Sequence, residues 1–489
     1  MSAINAVRGW IAVGVAIVVA TGIGLLGYLV PTAQPPAAGS SQPMLGRTSS
    51  VCTTGTLNAG KSSDSAESQV YAVAAKASAN DTGTLTGREL GSADEGSAPL
   101  SVDTPGQGKI LTGPQNSVQL TADGIMAGTS AGMVFGSTDS GEDRGLSLGA
   151  CTSPVVDQWF TGLGAADRLR SQLVLSNPDD KQAEVDLTFF GPDGELSVPG
   201  GSGLLIPAGR SRTVSLQDLL GNLDGDVTVH VHASVGRVSA MARDLRSAAD
   251  HTPTGADWHP ASAAPANQQI IPAVPGGPGA RKLIISNPGQ RRANVKIEIL
   301  GPDGPFTPAD AGETSVEGQS VVEVEVSKGL AGQIGTVRVT SDQKVVSAVR
   351  SERIGKTKPN DIAINTAQPA ITSLGLAPAA VVDGSETELA ISNGGSAIAT
   401  ADVSLINLDG VSLYHERIPV APGASIERRV TQAGPAYLQV KTPAGSQLYG
   451  GVTLRQLTGS VNGLAAAALI TPSLAGSARG TQYDPHVAQ

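Results

Sequence analysis

The stretch R-K-L-I-I-S-N-P-G-Q-R-R-A-N-V-K-I-E-I-L-G-P-D-G, residues 281–304, decides the fold. An apolar run enters a Ser-Asn-Pro turn. A second run leaves it and ends at Gly-Pro-Asp-Gly. In the second run Ala293, Val295, Ile297 and Ile299 alternate with polar residues, the period of two that marks a half-buried β-strand. Pro presets φ, Asn and Asp bond nearby backbone, and Gly accepts φ above zero, so both interruptions read as turns.

The pattern recurs at 173–194 and 389–410. The turn asparagines are Asn177, Asn287 and Asn393, and the second turns begin at Gly191, Gly301 and Asn407; 191 − 177, 301 − 287 and 407 − 393 all give 14. A constant spacing predicts that the two strands pair as a hairpin in fixed register, with Gly194, Gly304 and Gly410 at positive φ. Further strands follow at 211–216, 320–326 and 425–430, then at 226–233, 336–340 and 437–441. A last strand ends at Arg243, Arg350 or Arg455. About seven short strands per repeat suit an immunoglobulin-like sandwich. The expected fold is therefore all-β, with tandem immunoglobulin-like antiparallel sandwich modules. A closed β-propeller-like array is the rival, disfavoured because the two halves of a repeat do not resemble each other.

A chain of 489 residues with 61 Gly, 31 Pro and only 3% aromatic residues suits several turn-rich domains better than long helices. The net charge of −10 argues against a nucleic-acid partner, which needs a basic face. Residues 1–8 read as a cytoplasmic tail carrying Arg8, and 9–30 contain no charged side chain. Such a run is long enough for a transmembrane helix, with the bulk of the chain outside the cytoplasm. Residues 31–50 read as a Pro/Ala/Ser linker, 51–152 as a diverged β module, and 153–265, 266–370 and 371–470 as the clear modules. Residues 471–489 read as a disordered tail. An apolar echo at 270–275, 376–381 and 469–474 reads as the first strand of the next module or the last of the previous one; the copy after the last module favours the latter, or a strand shared between neighbours.

Cys52 and Cys151 are the two cysteines of the chain. They bracket the diverged module and form no C-x-x-C pair, which speaks against a redox or zinc motif. An intramolecular Cys52–Cys151 disulfide is expected, one that persists outside the cytoplasm.

The apolar segment, L-V-L-S-N-P-D at 173–179, G-P-D-G, D-W-H-P-A at 257–261 and I-I-P-A-V-P-G-G at 270–277 together resemble an actinobacterial family of membrane-anchored secreted proteins, domain of unknown function 5719. The resemblance covers most of the chain after residue 50. It implies an extracytoplasmic protein of a Gram-positive-type envelope and carries no activity onto named residues.

Four constellations bear on chemistry. Gly128-Thr-Ser130-Ala-Gly132 matches G-x-S-x-G, but no helix pattern follows it, and a nucleophile elbow needs one. His230-Val-His232 puts two imidazoles on one face of a strand, a metal pair only if His251, His259, Asp244 or Asp257 converges on it; the aligned pairs Arg338/Thr340 and Gln439/Lys441 mark ordinary outward positions. Asn222-Leu-Asp224-Gly-Asp226 lacks the ligand series of a calcium loop. Arg243, Arg350 and Arg455 read either as an anion-binding row or as one structural ion pair per module at the sandwich rim. The reading is thus non-enzymatic, with no catalytic residues, cofactor or metal. The expected partners are an envelope protein or wall polymer, and the membrane through residues 9–30. A polysaccharide-binding module and a hydrolase using Ser130 are the alternatives.

Overall fold

Apolar alternation becomes strand pairing throughout the residues that this computed structural model describes. These are 46–472, apart from 55–67, 77–81, 93–97, 331, 357, 380–383, 432–433 and 458–461. The expected cytoplasmic tail, the membrane helix, most of the linker and most of the C-terminal tail lie outside the described residues. Strand Arg47–Cys52 takes the last residues assigned to the linker. Among the described residues no helix is long and apolar enough to cross a membrane. A single turn at Leu216–Leu220 is capped by Ser215, whose Oγ accepts from the Asp218 amide.

Each module is two antiparallel sheets closed on one core. In the second module one sheet runs Asp157–Leu163, Val227–Val235, Ala183–Gly191, then the short Gly194–Leu196 and Leu204–Ile206; the other runs Arg210–Ser215, Leu169–Asn177, Ser239–Ser247, Pro253–His259. Leu173 and Leu175 of one sheet share their core with Val185, Leu187 and Val229 of the other. The diverged first copy repeats the order. Arg47–Cys52, Val118–Gly124, Gly83–Glu89 and Leu100–Val102 face Gly108–Thr112, Gln69–Ala74, Ser130–Thr138 and Gly145–Ala150. In the third module the strand Gly335–Arg353 runs through both sheets and joins them. The opening strand Asp157–Leu163 lies beside Val227–Val235, and the chain then crosses to the other sheet, where the last two strands pair with each other.

The expected hairpin is a correction. The strands flanking the Ser-Asn-Pro turn lie on opposite sheets, since Leu169–Asn177 pairs with Arg210–Ser215 and Ser239–Ser247, and Ala183–Gly191 with Val227–Val235. The turn is an arch, and its asparagine shows why it recurs. Asn287, fully buried, donates from Nδ2 to the carbonyls of Arg291 (2.7 Å) and Val316 (3.2 Å), and its Oδ1 accepts from the Gly289 amide (3.1 Å). Asn177 and Asn393 make the same bonds. An arch between sheets leaves backbone groups without ladder partners, and one amide side chain satisfies them. Asn287→Ala is expected to lower stability by about 2–3 kcal/mol in urea denaturation, the cost of unpaired buried polar groups. Gly194, Gly304 and Gly410 have φ of 134°, 119° and 90°, as the turn chemistry predicts. Open space surrounds Gly304, so Gly304→Val costs backbone strain alone, about 1–3 kcal/mol.

The apolar echo opens the following module: residues 270–275 lie in or just after Ala266–Val274, and 376–381 begin in Leu374–Ala379. The C-terminal copy folds back on the fourth module, where Ile470 bridges Leu376.

A strand ends each module: Gly145–Ala150, which the sequence suggests at 145–148, and Pro253–His259, Asp361–Thr366 and Leu464–Ala468, which the sequence reading missed. Each of these four packs on the next, and the fourth packs on the first. The modules are therefore closed into a ring with these edge strands at its hub. Edge strands carry amides without ladder partners, and two fully buried aspartates accept from them. Asp257 takes the amides of Leu148 (3.1 Å) and Ile364 (3.2 Å), tying the second hub strand to the first and third. Asp361 takes those of Leu146 and Leu464, both at 2.8 Å, tying the third to the first and fourth. Gly145 and Gly255 make room for it, because a Cβ on either would lie within 2.6 Å of its Oδ1.

Burial raises the Asp361 carboxyl to about 8 against these backbone amides, and raises Asp257 well above its ordinary value against the pull of Arg243. Unfolded, an aspartate releases its proton near pH 4. Between about 4 and 8 the folded chain holds a proton that the unfolded chain has lost, so stability falls as pH rises. The melting temperature is expected to be higher at pH 5 than at pH 8, with the slope reduced in Asp361→Asn. Equal slopes in the two proteins would assign the titration elsewhere.

The recurring arginines are neither strand ends nor rim residues. Arg243 and Arg350 hold equivalent registers, opposite Trp258 and Ile364, whereas Arg455, opposite Leu464, lies two residues further along its strand. Each reaches into the preceding module: Arg243 to Asp143 (3.3 Å), Arg350 to Asp226 (2.6 Å) and the Gly162 carbonyl (3.2 Å), and Arg455 to the Gly276 carbonyl (3.1 Å). Arg350 and Arg455 are also paired at home, with Glu323 (3.0 Å) and Glu388 (2.9 Å). In the first module Phe135, opposite Leu148, holds this register. It belongs to one apolar cluster that includes Met133 and Leu146 of the first module and Leu389 and Leu454 of the fourth. Ring closure is thus apolar, where the first two junctions carry an ion pair and the third a guanidinium–carbonyl hydrogen bond. It is completed by Tyr437 Oη donating to the Gly106 carbonyl (2.7 Å) and the Gly108 amide to that of Leu408 (2.9 Å).

The expected disulfide is present. Cys52 and Cys151 are bonded, with Cα atoms 4.1 Å apart, and close the first module end to end.

Candidate functional site

Strand Val227–Val235 carries His230 and His232 two residues apart, so both imidazoles stand on one face of its sheet. The opening strand Asp157–Leu163 lies antiparallel beside it, with Asp157 opposite His232 and Trp159 opposite His230. Asp157 Oδ1 lies 2.9 Å from His230 Nε2 and 2.8 Å from His232 Nδ1. Trp159 stacks on the His230 ring, with centroids 4.1 Å apart and planes 11° apart. The ring is therefore held from two sides.

Desolvation raises the Asp157 carboxyl, but the hydrogen bonds from His232 and His230 outweigh it and leave it below its ordinary value. Burial under Trp159 and its neighbours lowers His230 more than Asp157 raises it. One carboxylate oxygen and two imidazole nitrogens, all within 4.8 Å of one another, form a three-point donor set.

None of the four residues on which a metal reading of the histidine pair depended reaches it. His259 is buried elsewhere, with Nδ1 2.9 Å from Asp244 Oδ2, and Asp244 also accepts from Ser171. Asp257 sits at the hub, and His251 at φ 64° in a turn of its own. The third member is Asp157. The sequence signal was the pairing partner of the histidine strand, and 157–163 had not been read as a strand. Asp226, in the turn read as no calcium loop, pairs with Arg350.

Ser130 opens the strand Ser130–Thr138, opposite Ala74, after a single 3₁₀ turn at Ile125–Gly128. The helix of a nucleophile elbow is replaced by a strand. Gly132 of the same motif has a packing role, because a Cβ there would lie 2.7 Å from Cys151 Sγ. Trp258 is buried under the Arg243 guanidinium, 5.1 Å from its ring centre, so Trp159 is the indole that reaches the surface among the described residues.

The pattern of a family of unknown function (DUF5719) matches residues 111–431. No curated protein matches the chain. Among solved structures, the crystal structure of Thermotoga maritima 1070 is similar at 18% identity over 21% of this chain and 94% of its own, with a TM-score of 0.19. The BSP domain of a biofilm-associated protein is similar at 8% identity over 88% of this chain and 96% of its own, with a TM-score of 0.13.

Proposed function

The chain belongs to this family of unknown function, which brings no activity with it, and we propose that it is a non-enzymatic, membrane-tethered extracytoplasmic protein. In this reading its four sandwich modules act as one rigid platform for cell-envelope structure or partner binding. The observation that carries it is the closed ring. Buried ion pairs, hub aspartates and an apolar closure fix every module to two neighbours, which is the construction of a body that presents surfaces in fixed relation. The buried disulfide fits an oxidising compartment, and the uncharged segment 9–30 would supply the tether.

The test is topology together with partner capture. A phosphatase fused after residue 472 should be active in intact cells, with the protein in the membrane fraction. Crosslinking there should recover an envelope component that a chain unfolded by hub substitution no longer captures. A soluble cytoplasmic pool with both cysteines alkylated without reduction would overturn the reading.

A further inference from the structure

We propose that Asp157, His230 and His232 form a binding site for a divalent first-row transition ion, with zinc the ion of first choice. Two imidazoles and a carboxylate are the donor mixture that such ions prefer over calcium or magnesium. The three donors are already gathered, at 2.8 and 2.9 Å across the shared oxygen. Ligands around a tetrahedral zinc stand roughly 3.3 Å apart, given bonds of about 2.0 Å. The two spacings to Asp157 therefore need to open by only about half an ångström, through side-chain torsions of partly exposed residues.

Three further observations point to a cation. The backbone frame is rigid, because the histidines lie on an interior strand of the sheet, between Asp157–Leu163 and Ala183–Gly191. Trp159 fixes the His230 ring, which removes part of the ordering cost of binding. On the other flanking strand Asp186 lies opposite His232, with Glu184 further along the same face, so the site carries negative charge in excess of the ligand itself. The fold does not require this cluster. The corresponding face of the third module carries Arg338 paired with Glu298, and that of the fourth carries Gln439 and Lys441.

All three ligands come from the sheet, so an ion held there keeps its outer coordination positions open to solvent. Water or a donor atom from a partner would fill them. A purely structural His–Asp–His network would hold the same side chains together without taking up metal, and that distinction is measurable.

The experiment titrates the full-length chain, stripped with a chelator, with zinc chloride in a calorimeter. One equivalent is expected to bind saturably. His232→Ala and Asp157→Asn should each weaken binding roughly tenfold or more, comparable to the loss seen when groups supporting a metal site are removed, and the His230→Ala/His232→Ala double variant should abolish it. In the unmutated chain, histidine ring resonances followed by NMR during the titration should shift for His230 and His232 and not for His251 or His415. Because that readout uses no variant, a folding defect cannot imitate it. Absence of saturable binding, binding unchanged in the double variant, or shifts confined to other histidines would each overturn the assignment.

Discussion

Arg350→Met is expected to lower the unfolding free energy by about 3–5 kcal/mol, as breaking a buried ion pair from one side does. Arg350 is 3% exposed and Asp226 9%. Burial pulls the guanidinium down, but Asp226 and Glu323 outweigh it and hold it above its ordinary value. Methionine fills similar volume, so the loss is chiefly electrostatic: Asp226 stays desolvated with no counter-charge, and the Gly162 carbonyl loses a donor. Pairing the change with Asp226→Leu should recover most of the stability, because removing both charges removes the desolvation penalty along with the attraction. Urea denaturation of the four members of this cycle measures the coupling. A single substitution that melts with the unmutated chain would mean that this junction does not hold the second and third modules together.

The second large effect belongs to the disulfide. Replacing Cys52 and Cys151 by serine should destabilise the first module by about 4–5 kcal/mol on the chain-entropy account, because the bond closes a separation of 99 residues. Cys52 is fully buried and Cys151 7% exposed, so a reductant reaches the bond only through opening of the module. The rate of reduction should therefore rise with urea well below the unfolding midpoint. Fast reduction at a rate independent of urea would place the bond in a module that is already open, and equal midpoints for the two proteins would count against its stabilising role.

How far the sequence could be read follows from where each signal resides. Many of the strands and their turns were legible because they rest on local chemistry: alternation in Ala293–Gly301, positive φ at Gly304, two cysteines at the ends of one module. The arch was misread because alternation is the same whether two successive strands pair or face each other across a core. The buried amide bonds of Asn287, which distinguish the two, are tertiary. Three of the four hub strands escaped because they are covered on both faces and lose the period of two, as in Asp361–Thr366, buried at every position. The partners of Arg243, Arg350 and Arg455 lie in other modules, 100, 124 and 179 residues away. The histidine pair was legible, and its carboxylate was not, because Asp157 reaches it across strands 75 residues apart.

Closure of the fourth hub strand onto the first has an evolutionary consequence. A string of independent domains can lengthen or shorten by duplication, since each new copy needs only one neighbour. Here an inserted fifth copy would meet a hub whose two aspartates and four edge strands are already matched, and a deleted copy would leave two junction faces each shaped for a different neighbour. Copy number is therefore locked at four by geometry, and the remaining freedom lies in the outward faces, where the second module has placed its histidines and the others have not.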